Sequence, residues 1–132
     1  MTDMLPMTAA PATTAARPMT AAQKILAAHG GRSYVEVGET VWVRVDWALA
    51  NDITAPMAIE QMRAMGASRV FDPQRVILVP DHFLPAKDIA SAEQARVMRR
   101  FAREQHITHY YEVGRMGIEH ALIPELGILQ PG

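Results

Sequence analysis

Cysteine is absent from all 132 residues. That absence excludes disulfides, thiolate zinc sites, a cysteine nucleophile and cysteine-ligated iron–sulfur clusters. An excess of one charge is also missing, since 13 Lys plus Arg face 14 Asp plus Glu for a formal net charge of -1. No broad basic surface is therefore on offer to a nucleic-acid backbone. Arg, Asp, Glu or Gln interrupts every apolar stretch before it reaches the roughly 18–20 residues of a membrane span. The expectation is a soluble chain that engages neither nucleic acid nor membrane.

What is present is a composition that is 49% hydrophobic and 20% charged, enough for a packed core. The length suits one domain and no second core. So short a chain hides only a modest share of its surface, which makes long functional loops costly to carry alone. Residues 1–19 are Met, Thr, Pro and Ala with one Asp and one Arg, and Pro6, Pro11 and Pro18 break any periodicity. This segment reads as a disordered leader. It lacks the basic start and apolar core of a targeting peptide, which favours the cytoplasm.

From residue 20 onward helices and strands alternate. Thr20 and Gln23 form a candidate capping box ahead of Ile25 and Leu26, and Gly30-Gly31 closes that short helix. In Val41-Trp42-Val43-Arg44-Val45-Asp46 the valines alternate with bulkier or charged residues, a period-two pattern that predicts a half-buried strand. Asn51-Asp52-Ile53-Thr54 then reads as a loop, with Thr54 capping a helix that stacks Ile59, Met62 and Met65 and ends at Gly66. Val76-Ile77-Leu78-Val79 predicts a strand covered on both faces. Ser91 and Gln94 suggest the cap of a third helix, with Val97, Met98, Phe101 and Ala102 as its buried stripe and Arg96, Arg99, Arg100 and Arg103 as its solvated face. A third strand is expected over 107–113, followed by a looped ending punctuated by Pro124, Gly127, Pro131 and Gly132. The alternation predicts an α/β domain with a parallel or mixed sheet, whose sites gather beyond the C-terminal ends of its strands.

Three polar clusters fall at such ends. The first is Asn51, Asp52 and Thr54, of which an Asx turn followed by a helix cap accounts for Asp52 and Thr54 without any ligand. The second is Asp81-His82: histidine moves protons near neutrality, and a nearby carboxylate raises its basicity and fixes its tautomer. The third sets His120 behind Gly114 and Gly117, glycines that permit close main-chain approach without matching a dinucleotide or phosphate loop. A divalent metal held by Asp81, His82 and His120 with Asp46 or Asp52 is a weaker reading, because no compact zinc spacing occurs. His106 and His109 flank the start of the third strand and carry little functional signal.

In order and spacing, Asn51-Asp52-Ile53-Thr54-Ala55-Pro56, Val79-Pro80-Asp81-His82-Phe83, Lys87-Asp88-Ile89 and Gly117-Ile118-Glu119-His120 followed by Leu122-Ile123-Pro124-Glu125 resemble the start of an aconitase-family hydro-lyase. The likeness is to the large subunit of 3-isopropylmalate dehydratase, on the homoaconitase and dimethylmalate dehydratase-like branch, and it runs over 20–132. The resemblance implies an incomplete three-layer α/β/α aconitase-type N-terminal domain. It also implies reversible dehydration of a hydroxy-di- or tricarboxylic acid at a [4Fe-4S] cluster.

By match of motif, Asn51 stands where the family holds a substrate carboxylate with an amide, and Asp52 and Thr54 would shape that pocket. Asp81 and His82 resemble the pair in which histidine protonates the departing hydroxyl, and His120 resembles the second histidine of the site. The family's cluster cysteines and its serine base have no counterpart here, since the sequence stops before them. The remainder of a large subunit and a small swivel subunit are the implied partners. The isolated chain is expected to be inactive. The alternative is a non-catalytic subunit or remnant that pairs with another aconitase-like chain.

Overall fold

The computed structural model describes residues 17–129, so most of the expected leader and Pro131-Gly132 lie outside the described residues. The chain divides into two units, one ending at Arg44 and one beginning at Val45.

In the first unit, helix α1 covers Ala21–His29. The expected capping box forms: Gln23 N donates to Thr20 Oγ1 at 3.3 Å and Thr20 N donates to Gln23 Oε1 at 2.9 Å. Gln23 Nε2 also donates to the Val35 carbonyl at 2.8 Å, tying the following loop to the helix. Gly30 is the C-cap, and Gly31 at φ +63° takes the left-handed conformation that glycine adopts without a Cβ penalty. The strand expected over 41–46 does not form. Alternation marks a strand only where a neighbour supplies the ladder; here Arg44 N bonds the His29 carbonyl instead, at 3.1 Å, and Trp42 is 95% exposed.

The second unit holds the sheet. Strands β1 (Ala48–Asn51), β2 (Val76–Val79) and β3 (His109–Tyr110) are all parallel and lie in the order β1-β2-β3. The third strand is much shorter than the 107–113 run suggested. Sequence alternation also misplaced the first strand: Ala48-Leu49-Ala50-Asn51 is partly covered throughout and shows no one-sided pattern to read. All four residues of β2 are buried, as its unbroken apolar run required.

Helices α2 (Thr54–Ala64) and α3 (Ile89–Gln105) follow β1 and β2. On their face of the sheet Val76 and Leu78 pack with Ala55, Ile59, Met98, Phe101 and Ala102. On the other face Ile77 and Val79 meet Tyr111 and Ile123, the latter from helix α4 (Glu119–Glu125). The result is three layers, with α2 and α3 on one side of a parallel sheet and α4 on the other. Each fully buried aliphatic chain of this kind contributes about 1.5–3 kcal/mol relative to exposure.

Helix ends depart from expectation in instructive ways. Thr54 does not cap α2 but is its first residue, following Ile53 at the N-cap; the turn ahead of the helix is closed by Asn51, whose Oδ1 accepts from Ile53 N and Thr54 N, both at 3.0 Å. Met65 lies past the last turn and is exposed, so the apolar stripe is Ala55, Ile59 and Met62. Asp88 replaces Ser91 as the cap of α3, accepting from Ser91 N at 2.8 Å, and that bond holds the Asp88 carboxyl below its usual range. The α3 arginines are a solvated face with local partners, Glu93 for Arg96 and Glu104 for Arg100. Pro124 does not prevent a helix, because it stands in the last turn of α4, where losing one N–H only hastens the end. None of the described helices is long and apolar enough to cross a membrane.

Candidate active site

The parallel register assembles the first two clusters. Asn51 lies opposite Val79, so the residues that follow β1 meet those that follow β2. Asp52 is 1% exposed, and both of its oxygens accept main-chain hydrogen bonds: Oδ1 from His82 N at 3.0 Å and Oδ2 from Phe83 N at 2.7 Å. A carboxylate after one strand therefore sets the backbone path after the next. Buried polar groups are expected to be paired in this way, and Asp52 shapes the loop that presents His82.

Asp81 and His82 are adjacent in sequence and do touch. His82 Nδ1 lies 2.7 Å from Asp81 Oδ1. The other Asp81 oxygen accepts from Glu119 N at 2.7 Å, which fixes the carboxylate against the start of α4. The His82 ring is 41% exposed while the Asp81 side chain is 7% exposed, so the ring faces solvent from a sheltered partner. Its hydrogen bond to Asp81 raises the His82 pKa above the ordinary value; partial desolvation opposes this, and the charges of Asp81, Asp52 and Glu119 add to it. A histidine held this way retains its proton at neutral pH more readily than a free one, which suits a general acid.

The third cluster arrives through α4. His120 is largely exposed, and its Nε2 stands 3.6 Å from Glu119 Oε1. The same Oε1 accepts from Asn51 Nδ2 at 3.0 Å. Glu119 thus links the residue that ends β1 to the start of α4, and it is the candidate that sequence reasoning missed. A carboxylate in the first turn of a helix is commonplace, so nothing local distinguishes Glu119 from a dipole partner. Thr54 Oγ1 accepts from Asn51 N at 3.1 Å and completes the turn around Asn51. Of the two glycines before His120, Gly114 has φ +90° and Gly117 does not need a positive φ.

Asp52, Asp81 and His82 present ligand atoms within 4.8 Å of one another, whereas His120 and Asp46 are not part of that group. Three of the four carboxylate oxygens already accept main-chain N–H groups and the fourth faces His82. The trio is thus internally paired. A separate apolar hollow of about 280 Å³, lined by Ala50, Ile59, Met62, Phe71 and Leu78 among others, lies on the α2 side of the sheet and contains no acid–base group. His106 ends α3 with φ 56°, and His109 packs edge-on to Trp47 at 5.3 Å between centroids; neither joins the cluster.

A histidine oriented by a sheltered carboxylate thus lies beyond the C-terminal ends of the strands of a parallel α/β sheet. The sequence profile of the aconitase family (aconitate hydratase) matches residues 23–132, and the chain belongs to that family. It is 61% identical over 114 residues to the 3-isopropylmalate dehydratase large subunit of Moorella thermoacetica, covering 86% of this chain and 27% of that one. The large subunit of Caldicellulosiruptor bescii is 53% identical over 116 residues, with 88% and 27% coverage. That of Nitratidesulfovibrio vulgaris is 59% identical over 113 residues, with 86% and 27% coverage. The chain thus spans about a quarter of the length of these relatives.

Proposed function

We propose that this chain supplies the substrate-binding and acid-side wall of a 3-isopropylmalate dehydratase-type hydro-lyase. The reaction is the reversible dehydration of a hydroxy-di- or tricarboxylic acid, placing the protein in leucine biosynthesis or a chemically parallel route. The observation that carries this reading is the 2.7 Å contact between His82 and a sheltered Asp81, with the histidine exposed and its pKa raised.

Dehydration requires the departing hydroxyl to leave as water and a proton to leave the neighbouring carbon. His82 is suited to the first of these steps, because Asp81 engages Nδ1 and leaves the other ring nitrogen to carry a proton to the hydroxyl oxygen. Asp81 orients the ring and favours its protonated form. Asn51 spends Oδ1 on the turn ahead of α2 and one Nδ2 hydrogen on Glu119, so its second Nδ2 hydrogen remains for a substrate carboxylate. Asp52 and Thr54 shape this pocket by holding the two turns, and His120 lines it from α4.

The [4Fe-4S] cluster that the family implies does not fit the donors present here, because the chain has no cysteine and such clusters are held by thiolates. Its ligands, and the base for the carbon-bound proton, belong to the rest of a large subunit and to a small swivel subunit. The isolated chain is accordingly inactive. In the assembled enzyme, replacing His82 with Gln lowers kcat by about 10²–10⁴-fold. Formation of the unsaturated acid, followed by its ultraviolet absorbance, measures this; a His82→Gln enzyme of undiminished kcat rules out the assignment.

A further inference from the structure

We infer that Glu119 is a positioning residue that presents the Asn51 amide, and through its main chain the Asp81 carboxylate, to a hydroxy-acid ligand. The inference deepens the proposed function and rests on that reading of Asn51.

Glu119 is buried, with 5% of its surface exposed, and it is the first residue of α4. Its Oε1 accepts from Asn51 Nδ2 at 3.0 Å, across 68 residues of sequence. Its main-chain N donates to Asp81 Oδ2 at 2.7 Å, which leaves Asp81 Oδ1 free to engage His82. One residue therefore touches both expected arms of the site, the carboxylate-binding amide and the acid pair.

The Asn51 amide is held in a single orientation by these partners. Oδ1 faces the N–H groups of Ile53 and Thr54, and Nδ2 faces the Glu119 carboxylate. Turning the amide over sets Nδ2 against two N–H donors and Oδ1 against a carboxylate, a loss on every contact. With the amide fixed, the second Nδ2 hydrogen points a donor at whatever acceptor enters.

Asp52 supplies the contrast that separates positioning from bracing. Both Asp52 oxygens accept main-chain N–H groups, as expected of a buried carboxylate kept for structure. Glu119 Oε2 is buried as well but has no hydrogen-bond partner. An unpaired buried carboxylate oxygen calls for a donor, and the hydroxyl of a hydroxy acid is a donor attached to the same molecule as the carboxylate that Asn51 would bind.

The test uses the full chain in solution with Glu119→Gln, Glu119→Ala and Glu119→Asp. Gln keeps an oxygen for Asn51 Nδ2; Asp keeps the charge and the main-chain bond to Asp81 but is one methylene too short; Ala removes the acceptor. In nitrogen-15 NMR spectra the Asn51 side-chain amide should keep its shifts in Glu119→Gln. Its proton exchange should accelerate roughly ten-fold in both Glu119→Ala and Glu119→Asp. Unchanged Asn51 signals in Glu119→Asp, or equal loss in Glu119→Gln, overturn the inference even if Glu119→Ala does not fold.

In the assembled enzyme KM for the hydroxy acid should rise roughly ten-fold in Glu119→Asp, and also in Glu119→Gln, where an NH2 donor replaces the Oε2 acceptor while the oxygen facing Asn51 is kept. A KM that stays at the wild-type value in Glu119→Asp contradicts the ligand half of the inference. An Asn51→Ala enzyme with unchanged KM removes the substrate reading of Asn51 itself, while the NMR pattern decides the positioning of the amide independently.

Discussion

Residues 17–44 and 45–129 keep their shapes by different means. In the first unit the hydrogen bonds reach less far along the chain: a capping box within four residues, Gln23 to Val35, Arg44 to His29, and exposed ion pairs from Arg32 to Glu39 and from Arg17 to Glu36. Its buried apolar residues are Ala27 and Val35, while Val37 and Trp42 are more than 90% exposed. The second unit buries two apolar clusters against opposite faces of a sheet and ties its loops with side-chain bonds spanning 30, 38 and 68 residues. The contrast teaches that the candidate site lies where long-range bonds are anchored by a core: a site needs groups held to fractions of an ångström, and the sheet supplies that stiffness.

Substitutions sharpen this comparison. The largest stability effect belongs to the sheet unit: Met98→Ala, at a side chain with 0% exposure, should cost about 2–5 kcal/mol by denaturant unfolding. A cost below about 1 kcal/mol there removes the distinction between the units. Asp52→Ala strands the N–H groups of His82 and Phe83 and should cost about 1–3 kcal/mol, while also loosening the loop that carries His82, visible as faster amide exchange at both positions. Thr20→Ala in the first unit removes half of a capping box and should cost about 0.5–2 kcal/mol. Trp42→Ser should change stability by no more than about 0.5 kcal/mol, and a larger loss reveals that the exposed indole is covered in solution.

How far each feature was legible from sequence follows the same division. The α1 cap, the buried β2 run and the apolar stripe of α3 announce themselves within a few residues, through Thr20 with Gln23, Val76 to Val79, and Met98 with Phe101. The 41–46 segment misled because a strand pattern needs a pairing partner, and Ala48–Asn51 hid because cover on both faces erases alternation. The cap of α3 lies three residues ahead of Ser91 at Asp88, and the turn before α2 is closed by the Asn51 amide rather than by Thr54, since several polar residues competed at each end.

Asp81-His82 was visible as a pair, and the family resemblance pointed to all three clusters. Glu119 was not visible, because its meaning lies in Asn51, which is distant in the chain and adjacent only after the sheet has formed.

pH dependence follows from the same pair. His82 has a raised pKa in the folded chain, so the stability it contributes is complete below the unfolded value of about 6.5. That contribution is lost as pH rises through the higher folded value. Because the ring is well exposed, the effect on stability is small, and the effect on how readily the ring keeps its proton near neutrality is the more telling one.

The acid pair is tested most directly by an NMR titration of the His82 ring in the full chain and in Asp81→Asn. The His82 pKa should lie above about 6.5 in the wild type and fall toward that value once the carboxylate becomes an amide. A wild-type pKa at or below about 6.5, unmoved by Asp81→Asn, contradicts the claim that these two residues form the acid of a hydro-lyase.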